Sequence, residues 1–220
     1  MAAASLPATR SSCHAGTVLD LHNIAPRVVL YPFGSVPPIL AQDWLALAQL
    51  AQRPDDRVVF GDGSHATTRL CAAAVDLLCR QRQPQAVLDV GTGTGVLARI
   101  ARARGVSRVV GTDIDPDALS SATANSNLDA RPVEIHFSPE APDQLGARFD
   151  LVVANILEAP LRLLAPALCR ALRPGGSLLL SGFTRPQVPA LRVLYESLEV
   201  TLVRDSTLGE WVLLMFTSQE

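Results

Sequence analysis

Short apolar runs alternate with amphipathic segments along the chain from residue 86 to residue 217. Runs of about four to eight apolar residues between turn signals are typical of buried β-strands, and apolar residues spaced three or four apart are typical of α-helices. The pattern predicts strands at 86–90, 108–112, 132–137, 149–155, 177–181, 199–204 and 210–217. It predicts helices at 67–82, 96–104, 116–127, 156–172 and 186–198.

This alternation favours one fold class. It predicts a doubly wound, Rossmann-like α/β sheet of about seven strands, mostly parallel, with helices on both faces. The last two strands follow one another without a helix, so we expect them to form a hairpin that adds an antiparallel strand at the C-terminal end. Pro166 should kink or split the helix in which it falls. The tripeptide Pro174-Gly175-Gly176 predicts a turn before the fifth strand.

The chain divides at about residue 57 into two parts. Residues 58–220 carry the alternation of strands and helices. Residues 1–57 are too few for a full second domain, and we expect them to form a small extension on the substrate side. Apolar patterning there predicts two short strands, 17–21 and 27–31, and a helix, 38–52.

The first predicted strand ends in a glycine turn with unusual spacing. Gly91, Gly93 and Gly95 alternate, and Val96 occupies the position where a dinucleotide-binding loop, G-x-G-x-x-G, has its third glycine. Asp89 lies two residues before the first glycine, where a carboxylate would repel a phosphate. The loop therefore favours a ligand with positive charge and no phosphate on this side, such as S-adenosylmethionine (AdoMet). Asp89 and the three glycines are candidate cofactor-binding residues.

A second carboxylate follows the next predicted strand. Asp113 lies 22 residues after Gly91, close to the ~20 at which an acidic residue binds ribose hydroxyls in related folds. Asp115 and Pro116 have the pattern of a helix N-cap and the first helical residue. Asp113 is therefore the candidate ligand carboxylate, and Asp115 is predicted to be structural.

Further polar candidates lie around the segment FGDGSHATT and after the fourth strand. Thr67 and Thr68 stand where a helix begins, so their hydroxyls could cap the helix or reach the cofactor. His65 is a candidate catalytic base or a loop histidine with a backbone partner. The amide oxygen of Asn155 could orient an acceptor amine, although asparagine is also a common turn former. Glu158 is a weaker candidate for steering a cationic acceptor.

Composition and charge argue against several other classes of protein. The net charge is −2, with 18% charged residues, which does not suit a nucleic-acid binder with a broad basic surface. The four cysteines show no pair spacing, so we expect neither disulfides nor a zinc site. The N-terminus lacks a signal-peptide pattern and no apolar run reaches ~18 residues, so we expect a cytoplasmic protein without membrane contact.

Beyond these local patterns, the chain resembles the PrmA family, the class I AdoMet-dependent methyltransferases of large-subunit ribosomal protein eleven. The resemblance covers roughly residues 58–217 and is carried by FGDGSHATTRLC, VLDVGTGTGVLA, GTDIDPDAL, VVANILEAPLRLLAP and LRPGGSLLLSG. It implies that Thr68, Gly91, Asp113 and Asn155 bind AdoMet. It also implies methylation of nitrogen on a protein, at lysine or an N-terminal amine, with a ribosomal protein as candidate partner.

Other functions stay open beside this resemblance. The family's N-terminal domain, which captures the ribosomal protein, is about twice as long as residues 1–57 or longer, so the resemblance does not establish the substrate. A small-molecule N-methyltransferase would carry the same motifs. A nicotinamide-dependent oxidoreductase is disfavoured by Val96 and Asp89, and a non-catalytic AdoMet-binding scaffold is disfavoured by the presence of Thr68 and Asn155.

Overall fold

The structure, a computed structural model, describes residues 59–61, 63, 65–127 and 134–219. These residues contain seven strands: β1 Ala86–Val90, β2 Arg108–Thr112, β3 His136–Ser138, β4 Phe149–Asn155, β5 Leu172–Thr184, β6 Val200–Leu208 and β7 Trp211–Ser218. They contain five α-helices: α1 Ala66–Arg82, α2 Val96–Ala103, α3 Pro116–Asn127, α4 Glu158–Arg170 and α5 Val188–Glu196.

The strands form one mixed sheet in the order β3-β2-β1-β4-β5-β7-β6. The pairs from β3 through to β5 are parallel, and β7 is antiparallel to both β5 and β6. The predicted doubly wound, mostly parallel sheet is therefore confirmed. The strand order reverses between β1 and β4, and such a point opens a crevice outside the carboxyl ends of the strands.

Helices cover both faces of the sheet, which explains why β4 is apolar along most of its length. Leu151 and Val153 belong to the core that the sheet shares with α1 and α2. Val152 and Ala154 belong to the core that it shares with α4 and α5. Successive residues of this strand therefore serve opposite faces, and the central strand is held in place from both sides.

A buried ion pair joins α1 to the end of α2. The Asp76 side chain is fully buried and pairs with the guanidinium of Arg104. Its other carboxylate oxygen, Oδ2, lies 3.0 Å from Nε of Arg80. Since a buried carboxylate is stable only with such partners, these contacts help to fix the two helices that precede and follow β1.

The predicted splitting of a helix at Pro166 is wrong. α4 is a single helix that contains this proline, and it begins at Glu158 rather than at residue 156. Pro166 removes the donor for the carbonyl of Arg162, but both residues are exposed, so that carbonyl can bind water. One residue earlier, the carbonyl of Leu161 accepts a hydrogen bond of 2.8 Å from the hydroxyl of Tyr195. The helix therefore continues through the proline.

The predicted turn at Pro174-Gly175-Gly176 also takes another form. The tripeptide lies inside β5, at a break in the pairing with β4: Phe149 pairs with Leu172, and Leu151 pairs with Ser177. Four residues of β5 thus oppose a single residue of β4. The tripeptide forms a bulge, because the strand pairs with β4 on both sides of it.

Other boundaries differ by a few residues. The predicted helix 186–198 becomes a 3-10 turn, Arg185–Gln187, followed by α5. The predicted elements at 17–21, 27–31 and 38–52, residues 132–133 of the predicted third strand, and the division at residue 57 lie outside the described residues. The predicted third strand begins too early, because residues 134–135 are not in a strand and β3 starts at His136. In the part of the chain that is described, no helix combines the length and the hydropathy needed to cross a membrane.

Candidate active site

A large cavity opens at the carboxyl ends of β1, β2 and β4. Its volume is about 850 Å³, which is within the range of small-molecule sites. The wall comes from the loops that follow these strands, from the segment before α1, and from β5 and β7. The cavity lies at the reversal of strand order, where the topology predicts a ligand.

The glycine loop after β1 forms one wall of the cavity. Gly91 and Gly93 line it, and both have a left-handed backbone, with φ of 69° and 54°. A Cβ on Gly91 would lie 2.2 Å from Cγ2 of Ile156, and a Cβ on Gly93 would lie 2.3 Å from the carbonyl oxygen of Phe60. Gly95 caps α2 and does not line the cavity. Only glycine fits at 91 and 93, so this wall is bare backbone.

Asp89 lies behind the glycine loop and not in the cavity wall. It is 1% exposed, and its Oδ2 accepts hydrogen bonds from the hydroxyl of Thr92 (2.7 Å) and the N–H of Ala98 (3.1 Å). Within the described residues, no group donates to its Oδ1. Burial raises the pKa of Asp89 to about 6, against the lowering effect of the two hydrogen bonds and with a small increase from Asp113. Asp89 therefore braces the loop and keeps one acceptor oxygen unused.

Asp113 follows β2 and lies in the cavity wall. Its Oδ2 accepts the N–H of Gly93, and its Oδ1 accepts the N–H of Asp115, each at 3.0 Å. A carboxylate oxygen accepts more than one hydrogen bond, so both oxygens can still bind hydroxyls. Asp115 accepts the N–H of Asp117 at 2.9 Å at the start of α3. The predicted structural role of Asp115 is confirmed, although this residue also lines the cavity.

Asn155 ends β4 and contacts Thr68 of α1. Its Nδ2 donates to Oγ1 of Thr68 at 3.4 Å. Asn155 lines the cavity, while Thr68 is 1% exposed and does not line it. No described residue donates to Oδ1 of Asn155, which is buried. An unpaired buried acceptor costs about 1–3 kcal/mol, so this oxygen is well suited to bind an N–H of a ligand.

His65 is the N-cap of α1, a role that the sequence analysis considered only for the threonines. Its Nδ1 accepts the N–H of Thr67 at 3.3 Å and lies 2.8 Å from the hydroxyl oxygen of the same residue. The ring lies between Phe60 and Trp211, with centroid distances of 5.3 Å and 4.6 Å. His65 and its neighbours Phe60, Thr67 and Trp211 all line the cavity, and every one of them except Thr67 has an aromatic ring.

Thr94 joins three parts of the site. Its N–H donates to the carbonyl of Phe60 at 3.2 Å, and its hydroxyl donates to the carbonyl of Gly61 at 2.9 Å. Its own carbonyl accepts a hydrogen bond of 3.0 Å from the side chain of Asn125 on α3. The aromatic segment before α1 is therefore tied to the glycine loop, and the glycine loop is tied to α3.

The charged side chains of the described cavity wall are all acidic. Asp113, Asp115 and Glu140 line the cavity, and no arginine is among its described lining residues. The chain has no lysine at any position. Because like charges repel and unlike charges attract across such a wall, the cavity favours a cationic ligand and offers no cation to a phosphate.

Glu158 lies beside this site without forming part of its wall. Its Oε1 pairs with Arg162 at 2.7 Å, and its Oε2 accepts a hydrogen bond of 2.8 Å from Gln187. These two contacts lower the pKa of Glu158. Its charge is already balanced by an arginine, so it contributes less to steering than the free carboxylates of the wall.

No cysteine or metal chemistry is indicated in the described part of the chain, where no cluster of potential metal ligands occurs. Cys71, Cys79 and Cys169 are free thiols. Burial raises the pKa of Cys79 to about 12 and that of Cys169 to about 11, and it also raises the pKa of Cys71. Such thiols are poor nucleophiles.

The predicted site residues fall into two groups. His65, Gly91, Gly93, Asp113 and Asn155 line the cavity, whereas Thr68, Asp89 and Gly95 support it from behind. Three residues that were not predicted to be site residues also line the cavity: Ile156, Gly182 and Trp211. Ile156 could have been suspected from its place beside Asn155. The other two come from strands whose register decides what they face.

The sequence matches the profile of the family described as ribosomal protein L11 methyltransferase (PrmA) over residues 48–219. The ribosomal protein L11 methyltransferase of Dechloromonas aromatica (strain RCB) is 42% identical over 163 residues, which are 73% of this chain and 52% of the relative. That of Geobacter sulfurreducens (strain ATCC 51573 / DSM 12127 / PCA) is 39% identical over 176 residues, or 77% and 57%. The chain spans about half the length of the curated relatives it matches.

Solved structures agree with this relationship. The ribosomal protein L11 methylase of Lactobacillus delbrueckii subsp. bulgaricus has a TM-score of 0.66 and 28% identity, over 74% of this chain and 82% of that one. The N-methyltransferase NodS of Bradyrhizobium japonicum WM9, in complex with S-adenosyl-l-homocysteine, has a TM-score of 0.58 over 80% and 98% of the two chains. Its identity of 16% supports the fold alone. The chain belongs to the ribosomal protein L11 methyltransferase (PrmA) family.

Proposed function

We propose that this chain is an AdoMet-dependent methyltransferase that transfers a methyl group to nitrogen on a protein, with ribosomal protein L11 as the first candidate substrate. The observation that carries the proposal is the buried oxygen of Asn155, which lines an acidic cavity and has no partner among the described residues. Membership of the family supports both the reaction and the substrate.

The residues present fit AdoMet. This cofactor carries a sulfonium and an ammonium and has no phosphate, and the described wall is acidic without a cation. Asp113 keeps acceptor capacity for two ribose hydroxyls, and the bare backbone of Gly91 and Gly93 permits close approach. Asp89 adds a buried carboxylate behind the glycine loop, one oxygen of which has no hydrogen-bond partner among the described residues. Thr68 has a supporting role in this site, because it reaches the cavity only through Asn155.

The same features disfavour a nicotinamide dinucleotide. Its pyrophosphate needs backbone N–H groups at a helix N-terminus without a neighbouring carboxylate. Here Asp113 already accepts the N–H of Gly93, and Asp89 accepts the N–H of Ala98 in the first turn of α2.

The chain's own residues contribute placement and a shielded environment. AdoMet, when bound, would supply a methyl group activated on its sulfonium for in-line transfer to nitrogen, with S-adenosylhomocysteine as the leaving group. Asn155 Oδ1 accepts an N–H of the acceptor amine and so directs the nitrogen lone pair. Thr68 accepts from the Nδ2 of Asn155, which keeps the oxygen of the amide free for the amine. The apolar side chains of Ile156 and Trp211 favour the uncharged, nucleophilic form of the amine.

Transfer of labelled methyl groups tests this proposal. The full chain is incubated with methyl-labelled AdoMet and purified ribosomal protein L11, and the label is resolved by protein size. Asn155→Ala should lower turnover by about 100-fold, as misplaced reactants do, and leave affinity for S-adenosylhomocysteine nearly unchanged. Asn127→Ala is the matched control, because this exposed amide at the end of α3 does not line the cavity.

Other outcomes point to the alternative functions. In a cell lysate, label in a different protein would keep the reaction and replace the substrate, and label only in small molecules would indicate a small-molecule N-methyltransferase. Binding of AdoMet without any transfer would indicate a scaffold. Thermal stabilisation by NADH, and not by S-adenosylhomocysteine, would indicate an oxidoreductase.

A further inference from the structure

The capping contact of His65 restricts what its imidazole can do. His65 has an extended backbone, with φ of −72° and ψ of 141°, and its side chain accepts the N–H of Thr67. A ring nitrogen that accepts a hydrogen bond from a backbone N–H cannot itself carry a proton. The hydroxyl of Thr67, 2.8 Å from Nδ1, can donate to the same nitrogen, so both contacts of Nδ1 are satisfied together when the neutral ring carries its proton on Nε2.

This arrangement conflicts with a role as general base. To take a proton from an amine, Nε2 would need its lone pair, which requires the tautomer with the proton on Nδ1. In that tautomer, and in the imidazolium, Nδ1 could donate to the hydroxyl of Thr67, but it offers no acceptor to the N–H of the same residue. Proton transfer to His65 would therefore break the cap of α1, whereas a base should return to its starting state without disturbing the site.

The first turn of α1, which His65 caps, contacts the side-chain amide of Asn155. Thr67 and Thr68 form the first turn of α1, and the hydroxyl of Thr68 accepts from the side chain of Asn155. Both threonines are buried, so a shift of this turn would also displace the side chains that pack against them. Loss of the cap would free the N–H of Thr67 and move the oxygen that orients Asn155.

We propose that His65 is a positioning residue: through Nδ1 it caps α1 and so holds Thr68 against Asn155, and it does not accept the proton of the acceptor amine. The proposal rests on the proposed methyltransferase function. In this role the capping contact is made by Nδ1. The ring also packs against Phe60 and Trp211 in the cavity wall.

Two substitutions of His65 each place an amide near one of the two ring nitrogens. His65→Asn places an amide oxygen near the position of Nδ1 and is among the best N-caps, while His65→Gln places its amide near the position of Nε2 and caps poorly. Neither amide is basic, and both variants lose the ring, as His65→Ala does. We expect His65→Asn to keep kcat within about threefold of the wild type and the other two to lose about tenfold or more.

A second measurement is independent of activity. Amide hydrogen exchange of Thr67, measured on the full chain, should stay slow in His65→Asn and become faster in His65→Gln and His65→Ala, since only the first keeps an acceptor for this N–H.

The results separate the possible roles. If all three variants lose about 100- to 10,000-fold in kcat, as the loss of a general base does, the positioning role is overturned. It is also overturned if His65→Gln keeps activity and His65→Asn loses it, or if His65→Ala is as active as the wild type. If the wild type itself transfers no methyl group, the proposed function fails together with the catalytic part of this proposal, while amide exchange still decides whether His65 caps α1.

Discussion

Asp89 should make the folded protein less stable as it ionises. Burial raises its pKa to about 6 from an ordinary value of 3.8, even though Thr92 and Ala98 donate to one carboxylate oxygen. The folded state therefore binds a proton at Asp89 more tightly than the unfolded chain does. By linkage, the contribution of Asp89 to the free energy of unfolding falls as the pH rises from about 4, through the folded pKa, to about 7.

The size of this effect follows from the two pKa values. A difference of about two pH units corresponds to about 3 kcal/mol in the free energy of unfolding. Asp89→Asn keeps a carbonyl oxygen for Thr92 and Ala98 and cannot ionise. Its amide nitrogen replaces the oxygen that has no partner among the described residues, and the cost of burying that nitrogen is the same at every pH in this range.

Urea unfolding between pH 4 and pH 7 measures the prediction. The free energy of unfolding of Asp89→Asn minus that of the wild type should increase by about 3 kcal/mol across this interval. A difference that stays constant with pH would refute the reasoning. The same variant should bind S-adenosylhomocysteine more weakly at pH 7, because it has lost the negative charge behind the glycine loop that attracts a cationic ligand.

Asp150 supplies a control of opposite sign. Burial opposes its ionisation, but hydrogen bonds from Arg173 and from the two backbone N–H groups at Gln85 and Ala86 outweigh burial and lower its pKa. Its stabilising effect is present above the ordinary pKa and is lost as the pH falls through the folded one. Asp150→Asn should therefore be destabilised at neutral pH, and its difference from the wild type should stay nearly constant down to about pH 4 and shrink only at lower pH.

Two further substitutions test the contacts that support the site. Gly182→Ala should cost about 2–4 kcal/mol of stability and lower kcat, because its Cβ would lie 2.1 Å from the carbonyl oxygen of Ile156, at a φ of 101°. Gly209→Ala, with φ of 63° and open space around its Cβ, should cost only about 1 kcal/mol in the same urea titration. Asp76→Asn should lower the free energy of unfolding by about 2–3 kcal/mol, since it leaves two arginines without their buried partner. Asp143→Asn removes an exposed ion pair and should change stability by less than about 1 kcal/mol, and equal losses in the two variants would contradict this ranking.

Features that depend on local physics were predictable from the sequence. β4 was predicted with its observed bounds, 149–155, because a strand buried on both faces is marked by a long apolar run between polar residues. The turn from β1 into α2, and Asp113 at the end of β2, were predictable because glycines and a strand-end carboxylate mark a ligand loop in such folds. The cap at Asp115 followed from the pattern of an acidic residue before proline.

Features that depend on tertiary contacts were not predictable. Propensity favoured a threonine as the cap of α1, but His65 takes that place. Pro166 lies on an exposed face of α4, where the carbonyl that it leaves without a donor can bind water. The helix is therefore not split at the proline, as the sequence pattern had predicted. Gly182 lies at the break in pairing between β5 and β7, and Trp211 pairs with Thr184 just beyond it. No pattern along the chain indicates the position of such a break.

Contacts between distant parts of the described chain hold the proposed site together. Thr68 and Asn155 meet across 87 positions, Thr94 ties the segment of Phe60 to the glycine loop, and Gly182 packs against Ile156. These contacts position the groups that would act on an amine, and they do not involve the exposed side chains at the mouth of the cavity, of which Leu157 is 70% exposed. We therefore expect reaction chemistry and substrate choice to depend on different residues, so that variation at the mouth changes the acceptor without disturbing the amide oxygen that is proposed to receive it.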